Sequence, residues 1–435
     1  MRLGGRISAA IAVLSDFETR RVPFKVCLAD WARGARFAGA KDRAWISGLC
    51  LDVLRRRSSL AALANTNDIR MVALACLRTL WSLDVDELAA ACNDEFGPGG
   101  LSDAELNALS SMSAMSSVSG VIDAPEWTYP LLERAFGNDL YCEISAFGVR
   151  ADVYLRVNSI KTTTEKARAA TKTIGAEQSS ITSSALRVPS SDPAHRAPAV
   201  TVIPAFNKGW VEVQDLGSQL AAAAAGQIRG SQVLDFCAGG GGKTLALAAL
   251  MENSGQIYAY DINQQRMRSI YHRAKRAGVR NLQIINGGDD DALHTLRQKV
   301  DVVFVDAPCS GSGTWRRHPD AKWRFTDKQL SKRREEQATV LTASQSFVRP
   351  GGRLIYVTCS VFKEENDEQI ETFLAEHDDF LRVSAIEAIA GSGVLTDEAT
   401  TALKECETLK GDLQLTPARI GSDGFYISVL ERKQR

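Results

Sequence analysis

The sequence predicts a multidomain protein whose C-terminal half is an α/β domain, preceded by an all-helical region and a small α+β module. Three observations carry this. From Gln214 onward, short apolar runs alternate with helical stretches, the pattern of a parallel sheet covered on both faces. Residues 1–120 instead carry apolar side chains at three- and four-residue spacing, which is helical. Between them lies a stretch that mixes short strands and helices. The 435 residues are enough for two or three domains, expected over 1–122, 123–211 and 212–435.

Taken in order, Ile7, Ile11 and Leu14 give a first amphipathic helix. The two arginines before this apolar run invite a secretory-leader reading. The run is short, however, Asp16 and Glu18 follow at once, and no cleavage site comes after them. DRAWISGLCLDVLRRR (42–57) and NDIRMVALACLRTLWSL (67–83) read as helices opened by Asp or Asn caps. Ser110–Gly120 reads as a linker or mobile turn. Tyr154–Ile160 reads as a strand, Thr164–Ile174 as a helix opening on a Thr cap, and SSDPAHRAP (190–198) as a loop. A helix over 214–225 then leads to strands at 233–236, 256–261, 282–285, 300–306 and 353–360. Parallel sheets bind ligands at the carboxyl ends of their strands.

Composition narrows the class. The 52 Lys+Arg balance 52 Asp+Glu, which excludes a strongly cationic nucleic-acid coat. The balance is uneven along the chain: residues 1–60 carry net +7 and residues 61–150 net −9. The nine cysteines are odd in number, widely spaced and without a C-x-x-C pair. They fit neither a disulfide framework nor a zinc ribbon, and suit a reducing cytosol. No stretch approaches the ~18–20 apolar residues of a membrane span. The expectation is a soluble, cytoplasmic protein.

The turn CAGGGGKT (237–244) follows a strand and precedes a helix, so its backbone can approach a ligand closely. It is not a P-loop, because Cys237 stands where that motif needs glycine. It is not G-x-G-x-x-G either, since the pattern from Gly239 ends on Thr244. Asp261 closes the next strand, where a carboxylate can accept from two ribose hydroxyls. Asp289 closes the strand after that and could accept from an adenine amino group. Glycine, acid and acid at three strand ends resemble the S-adenosylmethionine site of class I methyltransferases. On the loop alone, this cofactor and another nucleotide both fit. The expected cofactor residues are Cys237, Ala238, Gly239, Gly240, Gly241, Gly242, Lys243, Asp261, Asp289 and Asp306.

Two cysteines emerge at two further strand ends, Cys309 in DAPCSGSG and Cys359 in TCS. A lone cysteine is usually a small buried hydrophobe. Two at neighbouring ligand-facing ends, without metal-ligand spacing, are better candidate nucleophiles. The combination of DAPCSGSG, RRHPDAKWR, TCSVFKEEN (358–366) and LTPARIGSDGFYISVL (415–430) resembles the RNA 5-methylcytosine methyltransferases of the NOL1/NOP2/Sun group, most closely the bacterial 16S ribosomal RNA branch. The resemblance runs from about residue 125 onward. It extends more weakly to the N-terminal helices, which look like part of a NusB-like RNA-binding region. A glycine stands in this chain where the family's loop has proline.

The resemblance implies a class I, Rossmann-like, S-adenosylmethionine-dependent domain after a partial NusB-like helical region and a small α+β RNA-binding module. It makes Cys359 the nucleophile that adds to cytosine carbon 6, Cys309 the residue that assists product release, and Asp306 a partner for the cytosine edge near ring nitrogen 3. In DNA cytosine-5 methyltransferases the cysteine after proline attacks instead, which would favour Cys309. The second cysteine, at TCS, favours the RNA assignment. A thiolate at Cys359 needs a positive neighbour, for which Lys243 and Lys322 are candidates.

Arg316, Arg317, Lys322 and Arg324 follow a catalytic strand end and alternate with Trp315 and Trp323. Cation and aromatic in one loop is how single-stranded RNA is held. Arg266, Arg268, Arg273, Lys275 and Arg276 read in part as a solvated helix face. The expected partner is RNA, 16S ribosomal RNA first and tRNA as the rival substrate, with no membrane contact and a monomeric enzyme. A rival of another class is a non-catalytic RNA-binding factor on the same scaffold. Cys359, Cys309, Asp306 and Asp261 together argue against it.

Overall fold

A computed structural model describes residues 1–112, 120–190, 200–288 and 290–434. Asp289, most of the 110–120 stretch and residues 191–198 of the expected loop lie outside these. Contacts divide the chain into two compact units: residues 1–150 with 315–325, and residues 151–189, 200–314 and 326–434.

The first unit is helical. Its helices include Leu3–Arg20, Phe24–Gly34, Ala40–Arg55, Arg57–Ala64, Ile69–Thr79, Val85–Cys92 and Asp103–Ser111. Ile7, Leu14, Phe17, Ile46, Leu49, Leu74 and Leu77 form its core. The expected caps shift by one to three residues. Asp68, not Asn67, accepts from Met71 N at 3.1 Å. Asp42 sits inside its helix, where its carboxylate accepts from Gly39 N at 3.1 Å. The boundary expected after residue 122 falls within this unit. Helices Tyr129–Phe136 and Leu140–Phe147 belong to it, because Ser59 donates to Asp123 (backbone N 2.9 Å, Oγ 2.7 Å) and Arg56 donates to the carbonyls of Ser145 and Gly148.

The second unit contains two sheets. The smaller is antiparallel, with β1 (Val153–Val157), β2 (Glu177–Gln178), β3 (Ala185–Val188) and β4 (Val211–Val213) in the order β2-β3-β1-β4. Strand β1 stops at Val157, short of the expected Ile160. The Asn158 side chain turns the chain by donating to the carbonyls of Gly209 and Ala277, both at 2.8 Å.

The larger sheet comprises β5 (Gln232–Asp235), β6 (Gln256–Tyr260), β7 (Leu282–Ile285), β8 (Val300–Asp306), β9 (Val348–Thr358), β10 (Phe380–Val383), β11 (Leu413–Leu415) and β12 (Phe425–Arg432). Its order is β10-β12-β9-β8-β5-β6-β7, with β11 also on β12. Strands β5 to β9 are parallel, as the apolar runs predict. The three later strands pair antiparallel, so the sheet is mixed rather than wholly parallel. Helix Asp327–Gln345 packs on β8 and β9. Among the described residues no single helix is long and apolar enough to cross a membrane.

Candidate active site

The parallel register brings the candidate residues to one end of the sheet. Asp306, the last residue of β8, lies beside Val357 of β9, two residues before Cys359. The Cys309 and Cys359 sulfurs stand 3.4 Å apart, too far for a bond between them and close enough for one thiol to donate to the other. Both are free thiols and partly exposed. The hydrogen bond with Cys359, together with burial, pushes the Cys309 pKa well above the ordinary thiol value.

Lys243 supplies the expected positive neighbour. It lies in the first turn of helix Gly242–Leu250 and donates to Asp306 Oδ2 at 2.6 Å. Burial alone would lower its pKa, but Asp306 and the nearby Cys359 raise it, so the ammonium stays charged. Lys322, the other candidate, lies in the first unit. It is 2% exposed, donates to the carbonyls of Arg55 and Asp123, and is pushed down to about 7 by desolvation. Its charge is spent on holding the fold.

The start of the glycine turn is tied to the strands on both sides, β8 and β6. Phe236 N donates to Phe304 O, and Ala238 N to Tyr260 O, each at 2.9 Å. Gly239 and Gly241 have φ of +51° and +80°. A Cβ on Gly241 would lie 2.5 Å from Ile270 Cγ1, so glycine is required there. Arg273, expected on a solvated face, instead donates to Gly240 O at 2.6 Å and pairs with Glu212. Cys237 is half-buried, and burial pushes its thiol pKa up, which suits a lining residue rather than a nucleophile.

Asp261 follows β6 and is 3% exposed. One oxygen accepts from Gly239 N at 2.9 Å and the other from Asn263 N at 2.8 Å. Each oxygen keeps a further lone pair, so the carboxylate fits a ribose with adjacent hydroxyls. Asp235, fully buried at the end of β5, accepts from Thr244 Oγ1 at 2.6 Å, while its second oxygen has no partner.

The structure corrects the basic loop. Residues 315–325 pack within the helical unit. Trp315 and Arg316 are 2% and 5% exposed, Trp323 Nε1 donates to Leu54 O at 2.7 Å, and Arg55 Nε donates to Arg316 O at 2.6 Å. Arg316 and Lys322 are buried by these contacts, so neither presents a charge to phosphate. Arg317 is half-exposed, and so is Arg324, which pairs with Asp320 at 3.2 Å.

One residue escaped the sequence reading. Glu365, 0% exposed, accepts from Ser310 N at 2.8 Å, Ser310 Oγ at 2.5 Å, Gln337 Nε2 at 3.0 Å, and Ser360 Oγ. Desolvation raises its pKa, against the pull of these donors. Its only visible signal is position, within the stretch that follows Cys359.

Comparison with known proteins fits this geometry. A family model described as 16S rRNA methyltransferase RsmB/F matches residues 226–431. The ribosomal RNA small subunit methyltransferase B of Photorhabdus laumondii is 30% identical over 311 residues, 71% of this chain and 66% of that protein. By these matches the chain is similar to the RsmB/F branch of the NOL1/NOP2/Sun family. The Enterobacter member of the family is 33% identical over 58% of this chain and 57% of its own length. The matched stretch thus spans less than two thirds of these relatives. Among solved structures, PH0851 aligns over 99% of both chains with a TM-score of 0.70 at 22% identity. NSun6 of Pyrococcus horikoshii, solved with SFG, aligns over 72% of this chain and 99% of its own with a TM-score of 0.59 at 19% identity. At such identities the likeness is one of fold.

Proposed function

We propose that the protein is an S-adenosylmethionine-dependent RNA cytosine-5 methyltransferase acting on 16S ribosomal RNA in the cytoplasm. The observation that carries this reading is the thiol pair, 3.4 Å apart at adjacent strand ends beside the Lys243–Asp306 pair. The names of its bacterial relatives support ribosomal RNA as the substrate class.

Carbon 5 of cytosine is a weak nucleophile. Addition of the Cys359 sulfur to carbon 6 turns the ring into an enamine whose carbon 5 can attack an electrophile. Lys243 keeps positive charge near the attacking sulfur. Asp306 meets the cytosine edge near ring nitrogen 3, where charge develops. Residues 237–243, with Asp261 on the ribose, would hold S-adenosylmethionine, which would supply the electrophilic methyl group. At the elimination step a base takes the proton from carbon 5, the carbon 6–sulfur bond breaks to restore the ring double bond, and Cys309 assists this product release. The target base must leave its stack to reach Cys359. Arg317 and Arg324 remain the RNA contacts of the basic loop in this proposal.

Single cysteine variants test the assignment. Cys359→Ser is expected to form no covalent protein–RNA adduct and to lose activity, while Cys309→Ser accumulates the adduct, read by denaturing gel. An adduct that requires Cys309 instead would reverse the two roles. Deleting the gene should remove a 5-methylcytosine from 16S ribosomal RNA; loss from tRNA alone would overturn the substrate.

A further inference from the structure

Cys309 and Cys359 lie on separate loops, fifty residues apart in sequence, that share one backbone bond, Gly313 N to Cys359 O at 3.0 Å. Each cysteine is followed by a serine, Ser310 or Ser360. Both serines turn their hydroxyls onto one oxygen of Glu365, and the other oxygen takes Ser310 N and Gln337 Nε2. Gln337, itself 0% exposed, also donates to Pro308 O at 2.9 Å, immediately before Cys309. The two hydroxyls stand 3.3 Å apart, and Ser312 Oγ adds a contact to Ser360 Oγ at 3.0 Å. Neither loop can slide without breaking bonds to the same carboxylate.

A buried carboxylate is costly unless its lone pairs are filled. Four donors fill those of Glu365, and three of them come from the residues that directly follow the two cysteines. No bond from Glu365 reaches a sulfur, so it acts through the serines rather than on the reacting atoms.

We propose that Glu365 is a positioning residue that sets the separation of the two thiols by clamping both cysteine-bearing loops to one carboxylate. For catalysis the consequence rests on the methyltransferase reading above. A fixed separation lets Cys359 attack while Cys309 stays within reach for the release step. The geometric claim stands independently of that reading, and so does its test.

The full-length protein is treated with diamide, a two-electron oxidant that converts two thiols to a disulfide and is itself reduced to a hydrazine. The Cys309–Cys359 disulfide is then quantified by peptide mapping, without RNA or cofactor. The parent is expected to form it rapidly, because the sulfurs are already adjacent. Glu365→Ala is expected to slow it at least tenfold. Glu365→Gln should restore most of the rate. Its carbonyl can take the Ser310 and Gln337 N–H donors, and its amide faces two hydroxyls that can turn to accept. Parental oxidation by Glu365→Ala would overturn the proposal. Should that variant fail to fold, Ser310→Ala/Ser360→Ala removes the hydroxyl contacts and keeps the carboxylate; a parental rate there overturns it equally. Methyl transfer is measured in parallel, and Glu365→Ala should lower kcat without raising the KM for S-adenosylmethionine. A parent that oxidises quickly yet methylates no RNA would sink the functional reading and leave the clamp standing.

Discussion

Asp235 lies at the end of β5 with one carboxylate oxygen on Thr244 and the other without a partner. Burial raises its pKa from 3.8 to about 7. For a carboxyl raised in this way, the stabilising contribution is complete below pH 3.8 and is lost as pH climbs toward 7. Asp235→Asn removes the titration and keeps an acceptor for Thr244. Its stability relative to the parent should rise between pH 4 and pH 7, by roughly 1.4 kcal/mol per unit, and then level off. Urea unfolding at pH 4.5, 6 and 8 reads this; an unchanging difference would mean that Asp235 is ionised throughout. At this scale the sequence located Cys309, Cys359, Asp306 and Asp261 at or just after strand ends, where the structure has them. It was silent on Glu365, whose importance lies in accepting from a residue 55 positions away, and no local pattern encodes that.

The helices of the first unit were visible because their apolar spacing is independent of what they pack against. Their polar ties were not. Asp52, on helix Ala40–Arg55, is 5% exposed and accepts from Arg55 Nη1 at 2.6 Å, Trp81 Nε1 at 2.9 Å, and Arg150 Nη2 at 2.6 Å. One carboxylate thus joins this helix to the turn after Ile69–Thr79 and to Arg150. Asp52→Ala leaves two guanidiniums and an indole N–H without their acceptor, and should cost about 3–5 kcal/mol, the usual penalty for orphaning a buried ion pair. Chemical denaturation of the two proteins at one pH measures it. Residues 315–325 teach the same lesson with the opposite sign. Alternating cation and aromatic suggested an RNA-facing loop, yet Lys322 and Trp323, on helix Pro319–Arg324, donate to carbonyls of the unit's own backbone. Charge spacing alone does not distinguish an ammonium that meets phosphate from one that meets two peptide carbonyls.

For the molecule as a whole, a formal charge of zero is compatible with binding a polyanion through a few local surfaces, since the sum averages opposed regions. The sequence revealed the five parallel strands, because continuous apolar runs mark burial on both faces. It did not reveal the strand order or the antiparallel edge, which depend on long-range pairing. That edge is structurally expensive to lose. Strand β12 lies between β9 and β10, and six consecutive residues, Phe425–Leu430, are buried. Removing residues 425–435 should expose β9 as an unpaired apolar edge and drive aggregation. The soluble fraction on expression, compared with the full chain, checks this; a soluble, monodisperse truncation would contradict it.

The position of β12 also makes the surroundings of the thiol pair depend on a distant part of the chain. Tyr426 pairs with Thr358, the residue before Cys359, and Gly424 N donates to Gly313 O at 2.7 Å, in the loop that carries Cys309. Both thiol loops are therefore braced by the start of one antiparallel strand, and the five parallel strands alone do not complete their surroundings.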